Sequence, residues 1–511
     1  MILTLLSHPF LLVISAAIGI ISWYFVIRMY WYRRMLPPGP FPIPFAGNFL
    51  YFKGSKFSFG ETVHRFSKIY GDPTTIWLGN RPAIFLNNYE DVREVLIDNL
   101  HDFQDRPETM MGDIFGQSEQ DIIFAPYNKM WQFHKKLATR AMKRIVESSH
   151  LEYHSSTAID EIVELLKKAT GPTVVRSYTT SIIANVINSF CFGERVSLDD
   201  PFFVARTKQM DKFNENSNSI SILETISGIR HFQKILAKIV PPLRQMCEFM
   251  DMQRNYVDSQ VAKHRAAFDP NAAGSDPKDI LEALLYEQYV AKQTDPETAQ
   301  LFTDAHVTLV ILDVFGAGVE TTSVTLQWLI LRMIMMPELQ ELCYQQILAV
   351  CGDRIPRLED RSKLPLIEAT ILETMRCHPI APMGVPTTAV RDAKIGKYTA
   401  PKGTMIMTNV DALHFDDKAW NNPEAFDPKR FIADDGVVLK SKHWIPFGVG
   451  KRVCLGESLA KNQLFLVTAG LLQRLKFSPN PTEKYTLECV QGNEFNRVPA
   501  RPFTAKIEPR L

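Results

Sequence analysis

WIPFGVGKRVCLGE, running from Trp444 to Glu457, decides how this chain is read. One cysteine, Cys454, stands among Phe447, Gly450, Arg452 and Gly456, and an aliphatic, helix-compatible run, SLAKNQLFLVTAGLLQRL, follows at once. Glycines lack a Cβ and let the backbone approach closely whatever lies on the loop, so the pattern suits a large flat group. A cysteine just ahead of a helix sees the positive end of the helix dipole, and Arg452 is near in sequence; both favour thiolate over thiol. On these grounds alone Cys454 is either an anionic ligand or a small buried hydrophobe, the usual fate of a free cysteine.

The segment from Asp304 to Met336 supplies a second motif. No proline interrupts it before Pro337 and it is apolar on nearly every face, which predicts a helix of about 50 Å buried through the middle of the protein. Within it Gly316-Ala317-Gly318-Val319-Glu320-Thr321-Thr322 is out of place, because each helical glycine costs about 1 kcal/mol and a carboxylate in apolar surroundings needs a partner. The glycines alone suit a close helix crossing, whereas an acid beside two hydroxyls suits proton transfer. A third motif is Glu373 and Arg376, which put carboxylate and guanidinium on one helical face; Arg430 follows within PEAFDPKRF, residues 423–431. Such a pair on its own is a common surface salt bridge.

Phe447-x-x-Gly450-x-Arg452-x-Cys454-x-Gly456 resembles the haem-binding loop of cytochromes P450. Ala317-Gly318-x-Glu320-Thr321 resembles the same family's distal-helix motif, and Glu373-x-x-Arg376 with Arg430 resembles its Glu-x-x-Arg helix and later arginine segment. The motifs occur in the family's order from Pro37 onward and are most similar to the eukaryotic microsomal clan that contains steroid 17-alpha-hydroxylase. The resemblance implies haem b with Cys454 as axial thiolate, on a loop shaped by Phe447, Gly450 and Gly456. It implies that Ala317 and Gly318 leave room for dioxygen, that Glu320 and Thr321 deliver protons, and that Glu373, Arg376 and Arg430 form a buried cluster holding the loop. Arg452, Arg106 in FQDRP, and Trp131 are implied as neighbours of the haem propionates. Lys135 stands where the family's Trp-x-x-x-Arg pattern has arginine, a point charge in place of a bidentate fork, and Thr387 stands where steroid-type members carry histidine.

The implied activity is monooxygenation: one atom of O2 enters a lipophilic substrate, with electrons from NADPH through NADPH-cytochrome P450 reductase and with cytochrome b5 as a further partner. The substrate class is open between steroid, other lipid and xenobiotic. A haem-thiolate isomerase or dehydratase acting on a peroxide, or a non-catalytic haem sensor, would share the cysteine loop without needing Glu320 and Thr321. Lys135, Lys136, Lys440, Lys442 and Lys451 form a candidate docking face for the reductase. The expected substrate wall combines Val314, Ala317 and Gly318 with Ile380, Ala381, Met383 and Val385 and the loop near Ile114 and Phe115.

Composition sets the frame. Among 511 residues, 57 Lys+Arg face 56 Asp+Glu, a net charge of +1, which gives no reason to expect nucleic acid as a partner. Seven cysteines without CxxC spacing form neither a disulfide framework nor a zinc site and suit a reducing compartment. Met1 to Ile27 carries no charged side chain, and Arg28, Arg33 and Arg34 follow among Trp23, Tyr24, Tyr30, Trp31 and Tyr32. That run is long enough to cross a hydrocarbon core of about 30 Å, with positive charge and aromatics at the cytosolic end. The expected organisation is a membrane anchor with basic flank over 1–36, a proline hinge at Pro37-Pro38-Gly39-Pro40, and a single catalytic domain over 37–511, facing the cytosol from the endoplasmic reticulum. A hairpin is expected over 73–88, helical periodicity over 131–169, 203–265 and 279–350, and surface loops over 268–279 and 291–300. The fold class is mainly α with a minor β part.

Overall fold

The computed structural model describes residues 9–52, 58–116, 121–146, 150–168, 171–197, 200–224, 229–489 and 502–510. Its main helices are α1 (Pro9–Arg33), α2 (Lys129–Val146), α3 (His150–Lys167), α4 (Val175–Phe192), α5 (Pro201–Glu224), α6 (Pro241–Ala267), α7 (Ile280–Thr294), α8 (Asp304–Met335), α9 (Pro337–Cys351), α10 (Pro365–Cys377) and α11 (Glu457–Arg474). The minor β part has a four-stranded sheet in the order β1 (Thr74–Leu78), β2 (Arg81–Leu86), β7 (Met405–Thr408), β4 (Thr387–Thr388). The hairpin β1–β2 is antiparallel, and β2 runs parallel to β7 with Ile84 opposite Ile406. A second sheet joins β3 (Thr173–Val174), β9 (Thr504–Pro509) and β8 (Leu475–Pro479), and β5 (Ala393–Ile395) pairs with β6 (Tyr398–Ala400).

α8 is the central strut. It packs on α4, α6, α10 and α11, and its Trp328 is fully buried, stacked on His378 with ring centroids 4.0 Å apart. By length and composition it could cross a membrane, but two thirds of its most apolar window is buried inside the protein, so it is a core helix. Pro337 ends it and opens α9, because proline lacks an N–H yet fits a first helical turn.

Several expectations change in detail. The helical span 131–169 divides into α2 and α3, and 203–265 into α5, a short helix Gln233–Ile239, and α6, which Pro241 opens. The two expected surface loops contain one-turn helices, Pro270–Ser275 and Pro296–Ala299. The boundary at Pro37 is not a clean break, because Met29 and Leu36 are buried in a cluster with Trp77, Ile84, Leu86 and Ile406.

One polar cluster ties α10 to the segment before the cysteine loop. Glu373 and Arg376 have no exposed side-chain surface. Arg376 Nε donates to Glu373 Oε2 at 2.7 Å and its Nη2 to Oε1 at 2.9 Å. Arg430 Nε reaches Glu373 Oε1 at 3.1 Å, and the Asp427 amide reaches the same oxygen at 2.8 Å. Arg376 Nη1 donates to His414 O at 2.7 Å, and the guanidiniums of Arg376 and Arg430 converge on Ala425 O. Removing the carboxylate leaves two cations buried without it, at a cost of about 3–5 kcal/mol. Glu373→Ala is therefore expected to lower stability by that amount and to reduce retained haem, measured by denaturant titration and pigment content; a variant with unchanged midpoint would show the cluster to be dispensable.

Candidate functional site

A cavity of about 380 Å³ lies between α8 and the loop before α11, lined by Val314, Ala317, Gly318 and Thr321 on one side and by Phe447, Arg452, Cys454 and Gly456 on the other. Val314, Ala317, Gly318 and Thr321 share one helical stripe at three- and four-residue spacing. Thr321 Oγ1 donates to Ala317 O at 2.7 Å. Gly318 also permits a close helix crossing, since a Cβ there would sit 2.9 Å from Ile187 Cδ1 of α4.

The loop folds back so that the Cys454 amide donates to Phe447 O at 3.0 Å. His414 aligns it from behind: its Nδ1 donates to Arg376 O at 3.0 Å, and its Nε2 accepts from the Ile445 amide at 3.1 Å. His414 thus links the Glu373 cluster to the start of the loop. Gly450, with φ +74, faces the protein instead of the cavity, because a Cβ there would lie 2.2 Å from Leu96 O. Its glycine requirement comes from that backbone approach.

Of the two effects expected to favour a Cys454 thiolate, that of the helix start is present in the Gly456 and Glu457 amides and that of Arg452 is not. Arg452 points away from the sulfur and donates to Gln104 O at 2.9 Å and Ala125 O at 2.7 Å, with its guanidinium 4.0 Å from the Trp131 ring centroid. Burial among surrounding atoms pushes the Cys454 thiol up, against the pull of the Gly456 and Glu457 amides and of Lys135. Metal coordination is what removes such a proton.

The residues at the cavity's cationic end fit a dianionic group. Arg106 Nε donates to Ile123 O at 2.8 Å and its Nη1 to Val385 O at 2.8 Å and Pro386 O at 2.6 Å. Burial and the neighbouring Arg452 pull Arg106 down to about 9, and burial takes Arg452 to about 10. Neither guanidinium forms an ion pair among the described residues, so two buried cations lack an anion in contact. Gln104 Oε1, Thr387 Oγ1 and both amide atoms of Gln463 are buried without partners on the cavity wall. Two haem propionates would answer that surplus, and Cys454, which opens onto the same space, would be the residue to hold the metal. Trp131 Nε1 is committed to Ile122 O at 2.8 Å, so Trp131 contributes its ring face. Lys135 Nζ donates to Lys451 O at 2.5 Å and Val453 O at 3.1 Å, and burial first, then Arg452, lowers it to about 8. Lys135 therefore braces the cysteine loop and drops out of the expected docking face, where Lys136, Lys440, Lys442 and Lys451 are exposed.

Glu320 is not on the cavity wall. It is buried, and its Oε1 accepts from Arg176 Nη2 at 3.3 Å and Asn214 Nδ2 at 3.2 Å. Arg176 also pairs with the half-exposed Asp211; burial opposes its charge, but Glu320 and Asp211 outweigh that and hold it above the usual value. Of the expected substrate wall, Val314, Ile380, Ala381 and Val385 line the cavity. Met383 is buried against Val63, Ile76 and Phe85, and Ile114 and Phe115 pack towards Leu243 and Met246. Asp313, which sequence reasoning passed over, does line the cavity. A charged residue one turn before Ala317 in an apolar helix was the signal for it. His414 and Arg176 gave none, being ordinary residues far from the motifs they serve.

A sequence model of the cytochrome P450 family matches residues 37–494. Similar proteins include steroid 17-alpha-hydroxylase/17,20 lyase of Ictalurus punctatus, 31% identical over 87% of this chain and 83% of that protein. The protein of that name in Oryzias latipes is 32% identical over 86% and 85% respectively, and cytochrome P450 2D16 of Cavia porcellus is 30% identical over 89% and 91%. The chain belongs to the cytochrome P450 family. It is a P450 monooxygenase that uses haem b with an axial cysteine thiolate. Cys454→Ala is expected to abolish the thiolate-type absorption of the reduced carbon monoxide complex, while changes at the other six cysteines leave it in place; a retained band in Cys454→Ala would move the ligand elsewhere.

Proposed function

We propose that this P450 hydroxylates a lipophilic molecule of steroid or similar lipid size at an unactivated carbon, with electrons from NADPH through a membrane-bound reductase. The observation that carries the reading is the apolar cavity held between Cys454 and the Ala317–Thr321 stripe. Haem bound there supplies the iron at which dioxygen is activated. Val314, Ile380, Ala381 and Val385 offer a substrate buried area at about 25 cal/mol per Å² with few polar groups to orient it. The names of the steroid-hydroxylating relatives support the same size class. Thr321, whose hydroxyl already bridges to Ala317 O, is placed to hold a water and pass a proton into the cavity. Glu320, the acid expected beside it, faces Arg176 and Asn214 on the other side of the helix, so the proton reading rests on Thr321.

α1 is read as the membrane anchor: 25 residues span about 37 Å as a helix, enough for a hydrocarbon core of about 30 Å. Val13, Ile20, Trp23 and Tyr24 stand exposed on it. The exposed lysines at 136, 440, 442 and 451 are read as the reductase face, acting on association and screened by salt; cytochrome b5 is a second candidate for the same surface.

One reconstitution tests this reading. In microsomes the protein is expected to resist carbonate extraction and, with reductase and NADPH, to convert a sterol or lipid; extraction of the intact chain or turnover without NADPH would sink it. Thr321→Ala is expected to keep the carbon monoxide band while product formed per NADPH falls on the order of tenfold or more, the electrons going to peroxide. Unchanged coupling would remove Thr321 from the proton step. Ala381→Phe is expected to exclude rigid sterols more than slender fatty acids, read as loss of the substrate-induced spectral change; equal loss for both would place the wall elsewhere.

A further inference from the structure

The short turn 121–125 stands between carboxylates and cations. On its amide side, the Ile122 N–H donates to Asp313 Oδ2 at 2.8 Å, and the Phe124 N–H donates to Asp121 Oδ1 and Oδ2, each at 3.1 Å. On its carbonyl side, Ile122 O accepts Trp131 Nε1 and Ile123 O accepts Arg106 Nε, both at 2.8 Å, while Ala125 O accepts Arg452 Nη2 at 2.7 Å. Arg106, Trp131 and Arg452 are therefore each held by carbonyls of the turn whose amides are held by Asp121 and Asp313. Asp121 has no exposed surface, and a Cβ on Gly116 would lie 2.6 Å from its Oδ1, so this carboxyl group is poorly screened by solvent.

We propose that Asp121 is a positioning residue that, through the turn 121–125, sets how strongly Arg106 and Arg452 hold the haem carboxylates. The proposal rests on the haem site described above and deepens it. Asp121 acts on both guanidiniums, as does Asp105, which is otherwise engaged with the Arg106 and Tyr127 amides. Burial moves Asp121 up to about 6, which leaves it charged at pH 7.5, and burial first, then the charge of Asp121, raises the Asp313 carboxyl well above its usual range. Asp121 thus contributes a negative charge that would compete with the haem carboxylates for the same two cations. Charge at this depth is weakly screened. Removing it while keeping the turn should tighten haem and favour the reduced, more negative iron.

Asp121→Asn removes the charge and keeps one oxygen for the Phe124 amide, with an NH2 in place of the other oxygen; Asp121→Ala removes charge and acceptor; Asp121→Glu keeps the charge. The full-length, haem-loaded proteins are compared at pH 7.5 by the rate of haem transfer to apomyoglobin and by the midpoint potential of the iron. Asp121→Asn is expected to release haem more slowly, by roughly three- to tenfold as coupled charged neighbours do, and to have a higher potential. Asp121→Ala is expected to release haem faster, and Asp121→Glu to keep the original potential. A purely structural cap predicts the opposite sign for Asp121→Asn. Release as fast as or faster than in the unaltered protein, an unchanged potential, or a Glu variant that shifts as the Asn variant does would each overturn the proposal. Failure of the haem reading shows separately, as absence of the thiolate-type carbon monoxide band in the unaltered protein.

Discussion

The structure depends on one buried carboxylate. Glu373 gathers two guanidiniums and a backbone amide, and through Arg376 it fixes His414, which in turn holds the amide of Ile445 at the start of the cysteine loop. Trp444 adds a second tie, its Nε1 donating to Leu372 O of α10 at 3.0 Å. A buried ion pair gains little stability over apolar packing, because desolvation offsets the attraction. What it does provide is geometry: planar guanidiniums accept few arrangements, so the loop that presents Cys454 starts from a defined point.

The site forms where that loop meets α8. The helix contributes small and hydroxyl-bearing side chains at three- and four-residue spacing, the loop contributes sulfur, and the end near 104–125 contributes cations. Burial works against the charges of Arg106, Arg452 and Lys135. Backbone carbonyls receive their N–H groups without neutralising them, so the cavity keeps a positive end. That imbalance is the electrostatic reason a flat dianion with a metal centre suits the space. On the other side of α8, Glu320 is satisfied by Arg176 and Asn214, so the acid and the hydroxyl of adjacent residues look in different directions. Adjacent helical positions are about 100° apart, which makes this a consequence of the helix itself.

Much of this was legible in the linear chain. The glycine-framed cysteine, the small-acid-hydroxyl run inside an apolar helix and the Glu-x-x-Arg pair are local patterns, and local patterns survive in sequence because they are set by spacing along one element. They determined the family, the central helix and the cavity-facing stripe. Side-chain direction across elements was not legible. Arg452 was expected to act on Cys454 and instead holds carbonyls at 104 and 125; Gly450 makes room for Leu96; Met383, Ile114 and Phe115 pack into neighbouring clusters; Lys135 grips the loop from below. Each depends on a partner tens to hundreds of residues away, as Arg176 and Glu320 do across 144 positions. Only the tertiary structure decides such contacts, because they arise when packing removes water and forces each buried polar atom to find whatever partner the fold has brought beside it.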